Sequence, residues 1–388
     1  MVLLRSKFKR AAYILLAAVC CALFAVPNVP GLRASAAGFS GQISAESAVL
    51  ISFDTGTVLY EKNAYERRSM ASTTKIMTAL LALEEAEQSG DSTVHVTEEM
   101  VRVEGSSMGL QAGDELTLFN LCAGMMLASG NDAANTVALT LADTQEDFAD
   151  LMNLRAQELS LRDTHFVTPS GLDDEAHYST AYDMAQLTRA ALKNESFLKI
   201  VSSSTMQVEF LQPEKRVSYT NHNKLLRLYD GCIGVKTGFT KKSGRCLVSA
   251  ARRDGVTLIA VTLNAPDDWN DHIAMLDYGF STVETVTLDG QDFTAEIPVV
   301  GGTQETITVR GGAGGTISLS KGEAEQLTRT VLLSKFCYAP VQAGDRIGKI
   351  RFSLGGTPVY SVPIYAEESV STFVPEPSFW ERLFKRRN

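Results

Sequence analysis

Apolar and polar positions sort this chain into strand-like and helix-like runs. Ala48-Val49-Leu50-Ile51-Ser52-Phe53, the turn Asp54-Thr55-Gly56 and Thr57-Val58-Leu59-Tyr60 predict a β-hairpin. A polar link from Asn63 to Met70 leads into an apolar helix that opens at Ser72. The helix continues through Leu80, Leu81 and Leu83 and ends near Ser89-Gly90. Leu116 to Ala128, dense in Leu, Met, Ala and Gly, predicts a buried second helix that breaks at Ser129-Gly130-Asn131. Asn131 or Asp132 is expected to cap a third helix reaching Leu141. Phe148 to Leu159 predicts a fourth. His165 to Leu172 reads as irregular. Ser179-Thr180-Ala181-Tyr182-Asp183 then opens a helix with a capping-box pattern.

Cys232 to Thr240 reads as a strand interrupted by glycines. Arg245–Ala251 and Val256–Leu263, joined at Arg253-Asp254-Gly255, predict a hairpin beside it. After about Thr282 the texture changes. Residues 293–299, 306–309 and 358–364 are strand-like, with Gly-rich turns such as 311–315 between them. This predicts a small all-β sandwich domain.

The two ends have patterns of their own. Arg5, Lys7, Lys9 and Arg10 precede an apolar run from Ala11 to about Val26, and Ala34-Ser35-Ala36 fits a small-x-small cleavage site. Residues 1–36 are therefore expected to be an export signal removed near Ala36, which puts the mature protein outside the cytoplasmic membrane. In the last stretch, 375–388, Phe379, Trp380, Leu383 and Phe384 share one helical face. Arg382, Lys385, Arg386 and Arg387 fill the remainder. That pattern is expected of an interfacial helix lying on anionic lipid.

Composition narrows the classes of partner. The 388 residues are 45% hydrophobic and 21% charged, enough for two domains and a sizeable core. Residues 1–36 hold five bases and no acid, so 31 basic residues face 45 acidic ones in the remainder. A body this acidic argues against nucleic acid as a partner. Cys122, Cys232, Cys246 and Cys337 lie beyond the leader and form no C-x-x-C. Cys232 and Cys246 can either pair or stay as small buried thiols. The histidines are scattered, so no His-based metal site is expected.

Candidate chemistry centres on Ser72 and Lys75. Three apart at a helix start, they share a face. A serine hydroxyl is a weak nucleophile until a base takes its proton. A lysine that is desolvated and close to other positive charge can supply that base near neutral pH. The helix N-terminus would also stabilise a forming oxyanion. The spacing recurs at Ser6–Lys9, Ser196–Lys199 and Ser318–Lys321, without helpers. Ser72 has two: Ser129-Gly130-Asn131 in a loop between buried helices, and Lys236-Thr237-Gly238 on a strand flanked by Gly234. Gly234 and Gly238 allow close backbone approach to a ligand.

Ser-x-x-Lys, Ser-x-Asn and Lys-Thr-Gly, in that order and in those contexts, form the motif set of class A β-lactamases and penicillin-binding proteins. The chain resembles the D-alanyl-D-alanine carboxypeptidase family of low-molecular-mass penicillin-binding proteins over nearly everything after residue 36. Gly171-Leu172-Asp173 and Tyr182-Asp183-Met184 share in the resemblance.

The resemblance implies an α/β catalytic domain over 37–282, an antiparallel sheet flanked by helices. A β-sandwich over 283–374 and the amphipathic tail follow. It implies Ser72 as nucleophile, Lys75 as its base and Ser129 as a proton relay. Asn131 would contact substrate or orient Lys75. Lys236 and Thr237 would bind the substrate carboxylate, beside Gly238. Backbone N–H groups of Ser72 and Phe239 would form the oxyanion hole. The substrate implied is a peptidoglycan stem peptide ending in D-Ala-D-Ala, with β-lactams as inhibitors and no metal or organic cofactor.

Two other classes share parts of the pattern. A β-lactamase needs an added deacylating base, for which Glu175 is the one plausible loop position. A non-catalytic wall-binding protein would keep the pocket alone. Transpeptidase or endopeptidase activity is a nearer rival. Phe239 after Lys-Thr-Gly offers no polar side chain, so Arg245, Arg252 and Arg253 all remain open as partners for the substrate carboxylate.

Overall fold

The computed structural model describes residue 39 and residues 41–375. The expected export signal and the tail beyond Pro375 lie outside the described residues.

Chain order runs β1 (Ser47–Ser52), β2 (Val58–Lys62), α1 (Lys75–Ser89), β3 (Thr93–His95), β4 (Glu115–Thr117), α2 (Leu118–Ala128), α3 (Asn131–Leu141), α4 (Gln145–Glu158), α5 (Ala181–Ala191) and α6 (Glu195–Ser202). Next come β5 (Thr205–Phe210), β6 (Lys215–Thr220), α7 (Leu225–Leu228), β7 (Cys232–Thr240), β8 (Gly244–Arg253), β9 (Val256–Leu263) and α8 (Asp268–Thr282).

Five strands form one sheet in the order β2-β1-β9-β8-β7, with every pair antiparallel. The central strand β9 is buried along its whole length, which explains why all its residues but Thr257 and Thr262 are apolar. One face carries α8 and a core that includes Leu50, Leu247, Leu258 and Leu276. The other carries the helical region around α1, whose Ile76, Met77, Leu80 and Leu83 are buried. β7 is an edge strand facing that helical region.

Beyond α8, strands β10 (Val283–Leu288), β11 (Thr294–Val300), β12 (Thr306–Gly311), β13 (Gly315–Ser320), β14 (Leu327–Leu333), β15 (Cys337–Tyr338), β16 (Arg346–Leu354) and β17 (Thr357–Ala366) follow. They make a six-stranded sheet, β14-β16-β17-β12-β11-β15, and the pair β10-β13. A separate core, with Ile307, Val309, Ile350 and Val362, lies between them. The Asp54 carboxylate ties the hairpin turn to this part by accepting from the backbone N–H and hydroxyl of Ser318, both at 2.7 Å.

Several boundaries differ from the forecast. Leu116 belongs to β4, because it pairs with Val94 in a short ladder, and α2 begins at Leu118 behind a Thr117 cap. α4 starts at Gln145 because the Thr144 hydroxyl accepts from the Asp147 N–H. The hairpin β5–β6 and the helices α6 and α8 had no forecast. Their apolar positions are short or mixed with polar ones, and packing on the sheet and on α2 carries them. All four cysteines among the described residues are free thiols, so Cys232 and Cys246 do not pair.

Candidate active site

Ser72 lies in a single 3₁₀ turn, Ala71–Thr74, that feeds into α1. Thr73 and Thr74 close the turn by donating their hydroxyls to the Met70 and Ala71 carbonyls. The turn places Lys75 one step inside the helix with its amine beside the serine. Lys75 Nζ is 3.0 Å from Ser72 Oγ, 2.7 Å from Asn131 Oδ1 and 2.7 Å from the Ser170 carbonyl. The lysine is fully buried. Burial, helped by the neighbouring Lys236 ammonium, holds its pKa well below the usual lysine range, with Asp132 opposing. An amine held there can accept a proton from Ser72 near neutral pH.

The second motif sits where α2 meets α3. Ser129 ends α2 in a left-handed conformation, and its hydroxyl accepts from Lys236 Nζ at 3.0 Å. Neither Asn131 nor Asp132 caps α3 from its side chain, contrary to expectation. Asn131 is the first helical residue, Gly130 holds the cap position, and both polar side chains have other partners. Asn131 spans from Lys75 to the Glu104 carbonyl, 2.8 Å from its amide nitrogen. Asp132 accepts from the backbone N–H groups of Met108, Gly109 and Leu110 and from the Ser107 hydroxyl. The loop over the cleft draws these groups away from capping. Asp132, read from the sequence only as a cap candidate, instead holds residues 107–110 in place.

The third motif comes from the edge strand. Lys236 is 2% exposed, and burial pushes its amine down to about 7. Thr237 and Phe239 line the cleft with Ser72 and Ser129. Gly238 comes so close to the serine turn that a Cβ there would stand 3.1 Å from the Ser72 backbone nitrogen. A side chain at this position would force the strand and the turn apart.

All eight candidate residues therefore meet in one cleft. Two of the look-alikes do not, since Lys199 stacks over the Phe119 ring and Ser318 is the residue that binds Asp54, while Ser6–Lys9 lies outside the described residues. Glu175 is exposed and is not among the cleft-lining residues. Of the three arginines, only Arg245 lines the cleft. Its Nη2 donates to Asp268 at 2.6 Å, and its guanidinium lies 5.6 Å from the centre of the Trp269 ring. Arg252 is held by Thr257, and Arg253 is stacked between Tyr229 and Phe280. The motif reading missed His222, Lys224, Ser106 and Trp269, which also line the cleft. Only the position of His222 and Lys224, just ahead of the Lys-Thr-Gly strand, hinted at them.

Comparison with known proteins agrees with this architecture. Residues 32–267 match the family model described as D-alanyl-D-alanine carboxypeptidase, and residues 280–372 match that of the penicillin-binding protein 5 C-terminal domain. The D-alanyl-D-alanine carboxypeptidase DacF of Bacillus subtilis is 35% identical over 336 residues, covering 84% of this chain and 86% of the relative. The crystal structure of penicillin-binding protein 5 from Haemophilus influenzae superposes with a TM-score of 0.64 at 27% identity, covering 85% of this chain and 98% of that one. The Streptomyces K15 DD-transpeptidase gives 0.59 at 33% identity, over 62% and 98%. With the serine, both lysines and the Ser-Gly-Asn loop gathered in one cleft, and a matching C-terminal β domain behind it, this chain belongs to the D-alanyl-D-alanine carboxypeptidase family.

Proposed function

We propose that this protein is a serine-type D-Ala-D-Ala carboxypeptidase that trims peptidoglycan stem peptides and is acylated by penicillin. The observation that carries the reading is the buried amine of Lys75 at 3.0 Å from Ser72 Oγ. Lys75 takes the hydroxyl proton as Ser72 attacks the carbonyl between the two D-alanines. The tetrahedral oxyanion sits between the backbone N–H groups of Ser72 and Phe239, where each donor is typically worth about 3 kcal/mol. The C–N bond breaks, the departing D-alanine amine takes a proton from Ser129, the proton that Lys75 took from Ser72 is relayed to Ser129 to replace it, and Lys236 holds Ser129 in place. Water then hydrolyses the ester on Ser72. The outer edge of β7 offers an extended stem peptide backbone hydrogen bonds as an added strand. A β-lactam offers the same carbonyl in a strained ring and stops at the acyl-enzyme.

Arg245 takes the terminal carboxylate together with Thr237. It is the one arginine of the three on the cleft wall, and its bond to the buried Asp268 fixes its fork. Arg245→Ala is expected to raise KM about 30-fold for a peptide with a free C-terminus, the cost of removing one side of a charge contact on the cleft wall. A C-terminally amidated peptide should lose almost nothing from the same change. Equal losses for both peptides would remove Arg245 from this role.

We take 37–282 as the catalytic unit and 283–374 as a spacer. The tail from 375 lies on the outer leaflet and holds the cleft near new wall. The K15 relative's description as a transpeptidase supports a second outcome, in which an amine instead of water attacks the ester. The deciding experiment incubates purified protein with a diacyl-Lys-D-Ala-D-Ala peptide, with and without an amine acceptor. Free D-alanine with hydrolysed peptide supports the carboxypeptidase, and acceptor-linked product the transpeptidase. Rapid turnover of benzylpenicillin would instead indicate a β-lactamase. The absence of D-alanine release and of penicillin labelling would leave only a wall-binding role.

A further inference from the structure

The floor of the cleft is a segment with no regular structure, residues 167–177, and its contacts converge on the nucleophile's turn. Thr78 donates to the Pro169 carbonyl at 2.6 Å, and Lys75 to the Ser170 carbonyl at 2.7 Å. Asp173 accepts from Ser69 and Thr240, both at 3.0 Å, and so ties the two sides of the cleft together. Gly171 presses directly under Ala71: a Cβ there would stand 1.9 Å from the Ala71 carbonyl oxygen. Ala71, immediately before Ser72, has φ of 46°, a left-handed conformation that costs a non-glycine residue about 1 kcal/mol and needs support from its surroundings.

That support runs through His177. The backbone N–H of Val167 donates to His177 Nδ1 at 2.9 Å, so Nδ1 is the accepting nitrogen. The proton then sits on Nε2, which meets Thr74 Oγ1 at 2.8 Å. Thr74 in turn donates its hydroxyl proton to the Ala71 carbonyl at 2.8 Å. The chain of bonds reads Val167, His177, Thr74, Ala71, with each donor and acceptor used in a consistent sense. His177 is 3% exposed, and burial pushes it down to about 4, which keeps the ring neutral and this tautomer in force at neutral pH.

We propose that His177 is a positioning residue: it locks the cleft floor to the left-handed Ala71 and thereby sets the Ser72 hydroxyl against Lys75. The proposal rests on Ser72 being the acylated nucleophile. His177 touches neither the reacting atoms nor the cleft wall. Its loss should slow the chemical step and leave non-covalent binding in place.

The test is acylation kinetics with a chromogenic penicillin, resolving binding from the bond-forming rate, on the full chain. His177→Leu, which fills the site but bonds nothing, should acylate about 100-fold more slowly with an unchanged binding constant, the cost expected for a misplaced nucleophile. His177→Gln, which can accept from Val167 and donate to Thr74, should recover to within about fivefold of wild type. If His177→Leu does not fold, Thr74→Val breaks the same chain one link later and should give the same slowing. Acylation at the wild-type rate by a folded His177→Leu or Thr74→Val protein would overturn the proposal. So would a loss confined to binding, or a His177→Gln protein as slow as His177→Leu. Wild-type protein that fails to label, as Ser72→Ala should, would instead strike the acyl-enzyme reading itself.

Discussion

Ser72→Ala protein is expected to release no D-alanine above background and to take up no labelled penicillin. The size of the loss follows from what remains. The rest of the cleft survives, but the hydroxyl beside the Lys75 amine is gone. Loss of a serine nucleophile typically costs about a million-fold in kcat. Substrate binding should change little, because a hydroxyl shrinks to a hydrogen in a half-exposed position. Mass spectrometry after penicillin treatment checks both points: wild type gains the mass of one β-lactam, and the variant gains none. An adduct on the alanine variant would mean that another residue, Ser106 or Ser129 in the same cleft, is the nucleophile.

Lys236→Met should be the next most damaging change and should also move the pH profile. Two effects add. Ser129 loses the amine that holds its hydroxyl, and the developing charge loses a cation; together these cost about a thousand-fold in the acylation rate at neutral pH. The shift in the profile has a definite sign. Lys75 must be neutral to accept the Ser72 proton, so acylation rises as pH climbs through the Lys75 pKa. Burial and the Lys236 ammonium both lower that pKa. Removing Lys236 removes the repulsion, so the Lys75 pKa rises and the acidic limb moves to higher pH. A stopped-flow profile of penicillin acylation from acid to alkaline pH measures the limb in both proteins. A limb that stays in place, or moves to lower pH, would mean that Lys236 does not act on Lys75 through charge.

The sequence carried these two residues unequally. Ser72 and Lys75 are legible as a pair because a helical turn brings positions three apart to one face. Lys236 is a residue on a strand 161 positions beyond Lys75 in the chain, and nothing local aims it at the same space. Its motif named it, but only the fold puts it there: β7 is the edge strand, and it packs against the serine's turn and the helical region. Asn131 shows the limit of local rules most clearly. Capping preference assigns its side chain to α3, and the structure sends it to Lys75 and Glu104. A buried amine is a stronger demand than an open helix end.

Periodicity, turn residues and three short motifs were thus enough for the sequence to determine five of the eight helices and about half of the strands among the described residues, the α/β domain with its trailing β sandwich, and which eight residues to watch. Those are consequences of neighbours along the chain. Which of three arginines lines the cleft, which of the Asn131 and Asp132 side chains touches Lys75, and that a histidine on an irregular segment bonds to the serine's turn were decided only in three dimensions. Each depends on bonds between residues dozens to hundreds of positions apart, and burial decides which bonds form.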